Sequence, residues 1–177
     1  MRIFYAVNFD DKTSEMLQKL QNDLREKVIR GRWAALENLH LTLHFVGEIE
    51  SDELPIFKEA LEKAAAAVQR FSIRFTSYGS FRQGKQDLIY IKTKNTGDVM
   101  KIMSDILKKE LQRGDMKSFT PHVTLVRRGE INYSTLKVLK KQRFELPAVE
   151  IKSVELMESR KINGRLTYTT LHSVSLK

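Results

Sequence analysis

The chain has 177 residues, 41% of them hydrophobic and 30% charged, a balance ordinary for a soluble protein of one compact domain or two small lobes sharing a core. It has no cysteine, which excludes disulfides, thiolate metal sites and a cysteine nucleophile and fits a reducing cytoplasm. No stretch approaches the about 18 apolar residues of a membrane span, and the opening apolar run is too short for a signal peptide, so the expected location is the cytoplasm.

The net charge of +9 raises the local concentration of polyanions at the surface. Nucleic acid or a phosphorylated small molecule therefore fits as a partner, beside the plainer reading of lysine-rich solvated helix faces.

In chain order, residues 2–9 are aromatic and β-branched and predict a first strand. Asp10, Asp11 and Thr13 offer N-caps for a helix whose apolar positions are Met16, Leu17, Leu20, Leu24 and Val28, closed by Gly31. Arg32 to Leu39 reads as a connector, followed by a strand from His40 to Val46. Ser51 or Asp52 caps a second helix with Leu54, Phe57, Leu61, Ala65 and Val68 as its stripe, Pro55 falling harmlessly in its first turn.

Phe71, Ile73 and Phe75 alternate as a strand, and Tyr78 to Asp87 reads as a loop. Residues 88–91 then resemble the opening strand. Val99, Met100, Met103, Ile106, Leu107 and Leu111 make another amphipathic helix ending at Gly114, and His122 to Val126 forms a strand. A short helix around 134–141 and strands near 149–157 and 166–176, joined by a turn at Asn163-Gly164, complete the chain.

Strand, helix, His-x-Thr strand and helix thus occur twice, as a duplication of about 80 residues without a flexible linker, too long for a solenoid repeat. The expected fold is α+β: one bilobal domain over 1–177, with two pseudo-symmetric lobes of mainly antiparallel sheet, helices outside and a central cleft. The duplication builds a two-sided site within one chain, which reads as a monomer.

The repeated tetrapeptides are His40-Leu41-Thr42-Leu43 and His122-Val123-Thr124-Leu125. In a strand the His and Thr of each share one face and the apolar residues the other. Histidine titrates near neutrality, with an ordinary pKa of about 6.5, so one copy can accept a proton while the other donates one. On opposite sides of a phosphodiester, such a pair suits in-line displacement without a metal, with Thr42 and Thr124 donating hydrogen bonds to the non-bridging oxygens. A single His-x-Thr is short and common; two copies in equivalent places of a duplicated unit carry the reading.

The stretches His40 to Gly47 and Ser118 to Arg127, taken together, resemble the paired signatures of the two-histidine phosphoesterases. They are most similar to the bacterial and archaeal RNA 2′,3′-cyclic phosphodiesterases, also called 2′-5′ RNA ligases, and the likeness spans nearly the whole chain. The resemblance implies metal-independent, cofactor-free hydrolysis of an RNA 2′,3′-cyclic phosphate to a 2′-phosphate, and in some members reversible joining of tRNA halves. It implies that His40 gives the proton to the departing 3′ oxygen, that His122 accepts one from water, and that Thr42 and Thr124 hold the phosphate.

Arg127 matches a phosphate-contacting residue, although in a regular strand Arg128, not Arg127, shares the parity of His122; a bulge near Val126 would reconcile the two. Phe81 matches a base-stacking aromatic, while its odd-numbered phase equally suits a core residue of the 71–75 strand.

His44 has the parity of His40 and Thr42 and is expected at the rim of the cleft, and His172 is expected to be structural. Arg160, Lys161 and Arg165 suit either RNA backbone or a solvated hairpin tip. The competing functions are a non-catalytic RNA-binding module and a phosphoesterase of small cyclic nucleotides or cyclic ADP-ribose phosphate. A metallohydrolase fits least, because no acidic residue accompanies the motif histidines at ligand spacing.

Overall fold

The computed structural model describes residues 1–177, the side chain of Thr96 excepted. The elements are β1 (Arg2–Asn8), α1 (Asp11–Asn22), β2 (Val28–Trp33), β3 (His40–Glu48), α2 (Leu54–Ala66), β4 (Phe71–Gln83), β5 (Gln86–Asn95), α3 (Val99–Leu111), β6 (His122–Ile131), α4 (Tyr133–Leu139), β7 (Val149–Ile151), β8 (Ser153–Ile162) and β9 (Arg165–Ser175). The strands pair antiparallel in the order β7-β4-β5-β6-β3-β1-β8-β9, with β2 beside β6.

The sheet is two half-sheets, β6-β5-β4-β7 and β3-β1-β8-β9, joined where Leu41 of β3 pairs with Val123 of β6. Farther along β6, the same edge is taken by β2, which pairs from Trp33 opposite Val126 to Val28 opposite Ile131. With β3 diverging and β2 inserted, the sheet opens into a cleft at the two His-x-Thr strands. The halves are interleaved: the strand after α2 joins β5 of the second motif's half-sheet, and β8, late in the chain, pairs with β1.

The helices cover the face opposite the cleft. Leu17 and Leu20 of α1, Phe57, Leu61 and Ala64 of α2, and Met100, Met103 and Leu107 of α3 share one core with Ile3, Tyr5, Leu41, Leu43, Val123 and Leu125. The apolar residues of the two motifs are therefore the anchors that hold His40, Thr42, His122 and Thr124 on the other side.

Two expectations are corrected. The first helix ends at Asn22, and Val28 to Trp33 form β2 instead of a helix end and a connector. Val28 pairs with Ile131 of β6, an edge no local pattern reveals. Tyr78 to Asp87 is not a loop; β4 and β5 continue as a hairpin that turns at Gly84, in the left-handed region at φ 63°.

Candidate active site

Each motif strand carries a β-bulge in the same place. Tyr5 pairs with His44 and Ala6 with Thr42, leaving Leu43 as the extra residue of β3. Ile89 pairs with Val126 and Tyr90 with Thr124, leaving Leu125 as the extra residue of β6. A bulge puts two consecutive residues on one face and reverses the parity beyond it. Phe45 and Arg127, each third after its threonine, consequently turn toward the cleft, as the cavity linings record.

The same reversal corrects the place of His44. It is 2% exposed on the core side and is no rim residue. Its ring stacks near Tyr5 at 6.3 Å, and its Nε2 donates to the Arg113 carbonyl at 2.7 Å. Burial pushes its pKa down, so the neutral ring clamps the segment leading from α3 to the second motif. Gly114 sits in that segment at φ 94°; a Cβ there would lie 2.2 Å from the Phe45 carbonyl oxygen, so only glycine allows so close an approach.

His40 and His122 are held alike. His40 Nδ1 lies 2.8 Å from the carbonyl of Asn38, and His122 Nδ1 lies 2.7 Å from the carbonyl of Thr120. A carbonyl only accepts, so both Nδ1 atoms carry hydrogen, and the Nε2 atom of each neutral ring is a proton acceptor. His40 Nε2 accepts from the Thr42 hydroxyl at 3.0 Å. His122 Nε2 meets no protein partner among the described residues, which leaves its lone pair free. With Leu41 opposite Val123, the antiparallel register sets His40 across from Thr124 and Thr42 across from His122.

Aromatic rings wall both imidazoles. Phe4 and Tyr168 lie 5.0 and 5.1 Å from His40, and Tyr90 and Phe81 lie 5.0 and 5.3 Å from His122, by ring centroids. Phe81 belongs to β4, where the extra residue Thr76 shifts the register, so Tyr78 faces the core and Phe81 the cleft, stacked on Tyr90 at 4.4 Å. Its odd-numbered phase therefore does not continue the core face of Ile73 and Phe75. Tyr90 fits because its cross-strand partner is Gly79, where a Cβ would fall 2.4 Å from the ring.

This setting disfavours the imidazolium. Burial, then the Arg127 and His122 charges, push His40 down to about 4, against the effect of the Asn38 carbonyl. Burial and Arg127 likewise lower His122. At neutral pH the cleft thus holds two uncharged imidazoles beside a guanidinium.

Cavities of 350, 540 and 770 Å³ adjoin the pair: one over His40, Thr42 and Arg127 with Arg2 and Phe45, one over Thr42, His122 and Phe81 with Lys108 and Lys117, and one over His40, Thr124 and Arg127 with Arg32 and Arg165. The fold brings His40, Thr42, His122, Thr124, Arg127 and Phe81 to one cleft. Arg128 is the residue in the left-handed region, at φ 52°, and lines none of these cavities. His172 instead bonds Glu62 of α2 at 3.1 Å, and Arg160 lies 3.8 Å from Glu158.

Sequence reasoning missed Asn38, Tyr90, Phe4 and Tyr168. Asn38 had a signal: it stands two residues before His40, as Thr120 stands before His122. The three aromatics come from other strands and had none.

Residues 7–90 match the family model of LigT-like phosphoesterases. The RNA 2′,3′-cyclic phosphodiesterase of Thermus thermophilus is 31% identical over 139 residues, 72% of this chain and 69% of that one. That of Archaeoglobus fulgidus is 28% identical over 163 residues, 90% of this chain and 91% of the relative. Among solved structures, E. coli LigT in its apo form superposes with a TM-score of 0.76 at 21% identity, covering 99% of this chain and 96% of the other.

Proposed function

Because the chain belongs to the LigT-like phosphoesterases, the family of the RNA 2′,3′-cyclic phosphodiesterases, we propose that it opens 2′,3′-cyclic phosphate ends of RNA to 2′-phosphates by histidine acid-base catalysis. The observation that carries this reading is the matched pair of imidazoles, each tied through Nδ1 to a carbonyl two residues upstream and each with a threonine on the same face, the Nε2 of His122 unpaired and that of His40 on the Thr42 hydroxyl.

In the hydrolytic direction His122 Nε2 takes a proton from water as its oxygen attacks phosphorus. The bond from phosphorus to O3′ breaks in line, and His40 Nε2–H delivers its proton to O3′. Thr42 and Thr124 donate to the non-bridging oxygens, and the Arg127 guanidinium balances the charge gathering there. The free lone pair of His122 suits the base.

The acid must be charged, yet the surroundings of His40 keep it neutral at neutral pH. An arriving phosphodiester anion offsets Arg127 and favours the imidazolium, so the proton enters with the substrate. Once protonated, His40 Nε2 no longer accepts from Thr42, and that hydroxyl turns to the phosphate. The same displacement, with an RNA 5′-hydroxyl in place of water, would join ends through a 2′-5′ bond.

The test is a short RNA ending in a 2′,3′-cyclic phosphate, incubated with excess EDTA, with product isomers resolved. Wild type is expected to yield the 2′-phosphate, and His40→Ala and His122→Ala to lose turnover by at least about 100-fold. Turnover surviving in either variant, or abolished by the chelator, refutes the mechanism. RNA binding by all three proteins without turnover would make the cleft a binding module.

A further inference from the structure

The 770 Å³ cavity lies on the far side of the histidine pair from Phe81, between β2 and the tip of the β8–β9 hairpin. Part of its lining is Trp33, Ile162 and Leu166, the last two 41% and 45% exposed, although solvent-facing hairpin tips are ordinarily polar. Around them stand Arg32, Lys161 and Arg165, none of which has a carboxylate partner among the described residues, and the cavity ends at His40, Thr124 and Arg127.

An indole and two aliphatic chains give a flat apolar floor, and the free cations offer charge for phosphates. That is the chemistry of a nucleobase attached to a phosphodiester backbone. Arg25 rests against the Trp33 ring at 4.5 Å and is absent from the cavity lining, so it steadies the indole without occupying the space. The hairpin is tied to the reacting centre: the Asn38 amide donates to the Leu166 carbonyl at 2.8 Å, and the Asn38 carbonyl holds His40 Nδ1.

We infer that this cavity binds the nucleotide preceding the reacting terminus, with its base on Trp33 and its phosphate among Arg32, Lys161 and Arg165, making the protein selective for oligonucleotide ends over cyclic mononucleotides. The inference rests on the function proposed above and takes Phe81, across the pair, as the platform for the terminal base. It assigns a role to the hairpin cations that the chemistry at phosphorus does not use.

Kinetics on a mononucleotide and a dinucleotide 2′,3′-cyclic phosphate test it. Wild type is expected to favour the dinucleotide in kcat/KM by about tenfold or more. Trp33→Leu, which keeps an apolar side chain against the core, and the exposed pair Lys161→Gln with Arg165→Gln should each lower the dinucleotide value about tenfold more than the mononucleotide value. Equal losses on both substrates, or a wild type without chain-length preference, overturn the inference.

Trp33 is the sole tryptophan, so its fluorescence reports stacking without turnover. A dinucleotide ending in a 2′-phosphate should quench it where the mononucleotide does not, and identical responses refute the site. A wild type that turns over neither cyclic phosphate sinks the functional reading; selective quenching would still support the cavity as a nucleotide site.

Discussion

Removing the His40 imidazole should make the protein less sensitive to acid. His40 titrates near 4 in the folded chain and near 6.5 when free of its surroundings, so between those values the unfolded chain binds the extra proton. Stability from this group is complete above pH 6.5 and is lost as pH falls toward 4. The gap corresponds to about 3 kcal/mol once both states are protonated, and to about 2 kcal/mol at pH 5.

For a chain of this size, 2 kcal/mol moves the melting temperature by about 4–8 °C. The assay is urea denaturation of wild type and His40→Gln at pH 7.5 and 5.0. Acid will weaken both proteins as positive charge accumulates, but the variant lacks this one titration and should lose about 2 kcal/mol less. Equal losses in the two proteins would show that His40 titrates normally. The account of a proton arriving with substrate would then fall.

The same lowered values predict an acid-side optimum for kcat/KM. With free His40 titrating near 4 and His122 below its ordinary value, kcat/KM should already be falling as pH rises from 6 to 8, while kcat, which reports the bound complex, should hold to higher pH; a flat kcat/KM over that range contradicts this. Arg127→Gln should raise KM for a cyclic phosphate about 10- to 100-fold, the worth of a charge-assisted hydrogen bond, and lift both histidine titrations in an NMR experiment. Arg128→Gln should change neither, and the reverse ranking would give the phosphate to Arg128. Gly79→Ala forces Tyr90 off its strand; thermal or urea melts should show a loss of about 1–3 kcal/mol, and kcat should drop as Tyr90 leaves His122. A melt and a rate like those of wild type would show that the ring relaxes freely.

Much of the site could be read from local pattern. Alternation alone separates His40 and Thr42 from Leu41 and Leu43, and His122 and Thr124 from Val123 and Leu125, and the structure keeps that separation because the apolar members are buried in one core. The helices α2 and α3 follow their apolar spacing to within a residue or two. The paired motifs also suffice to suggest the family.

Local pattern failed where a partner strand decides. His44 shares parity with His40 in the sequence, and Arg127 opposes His122, yet the bulges at Leu43 and Leu125 reverse both placements. A bulge exists only relative to the strand it pairs with, so no stretch of its own chain encodes it. The rings around His40 and His122 come from β1, β9, β4 and β5, and the interleaving of the half-sheets gathers them. Residue type and strand alternation fix which groups can move protons and which face of each strand bears them. Which charge and which rings surround those groups follows from the folded chain alone, because long-range strand pairing, not residue type, sets their electrostatic environment.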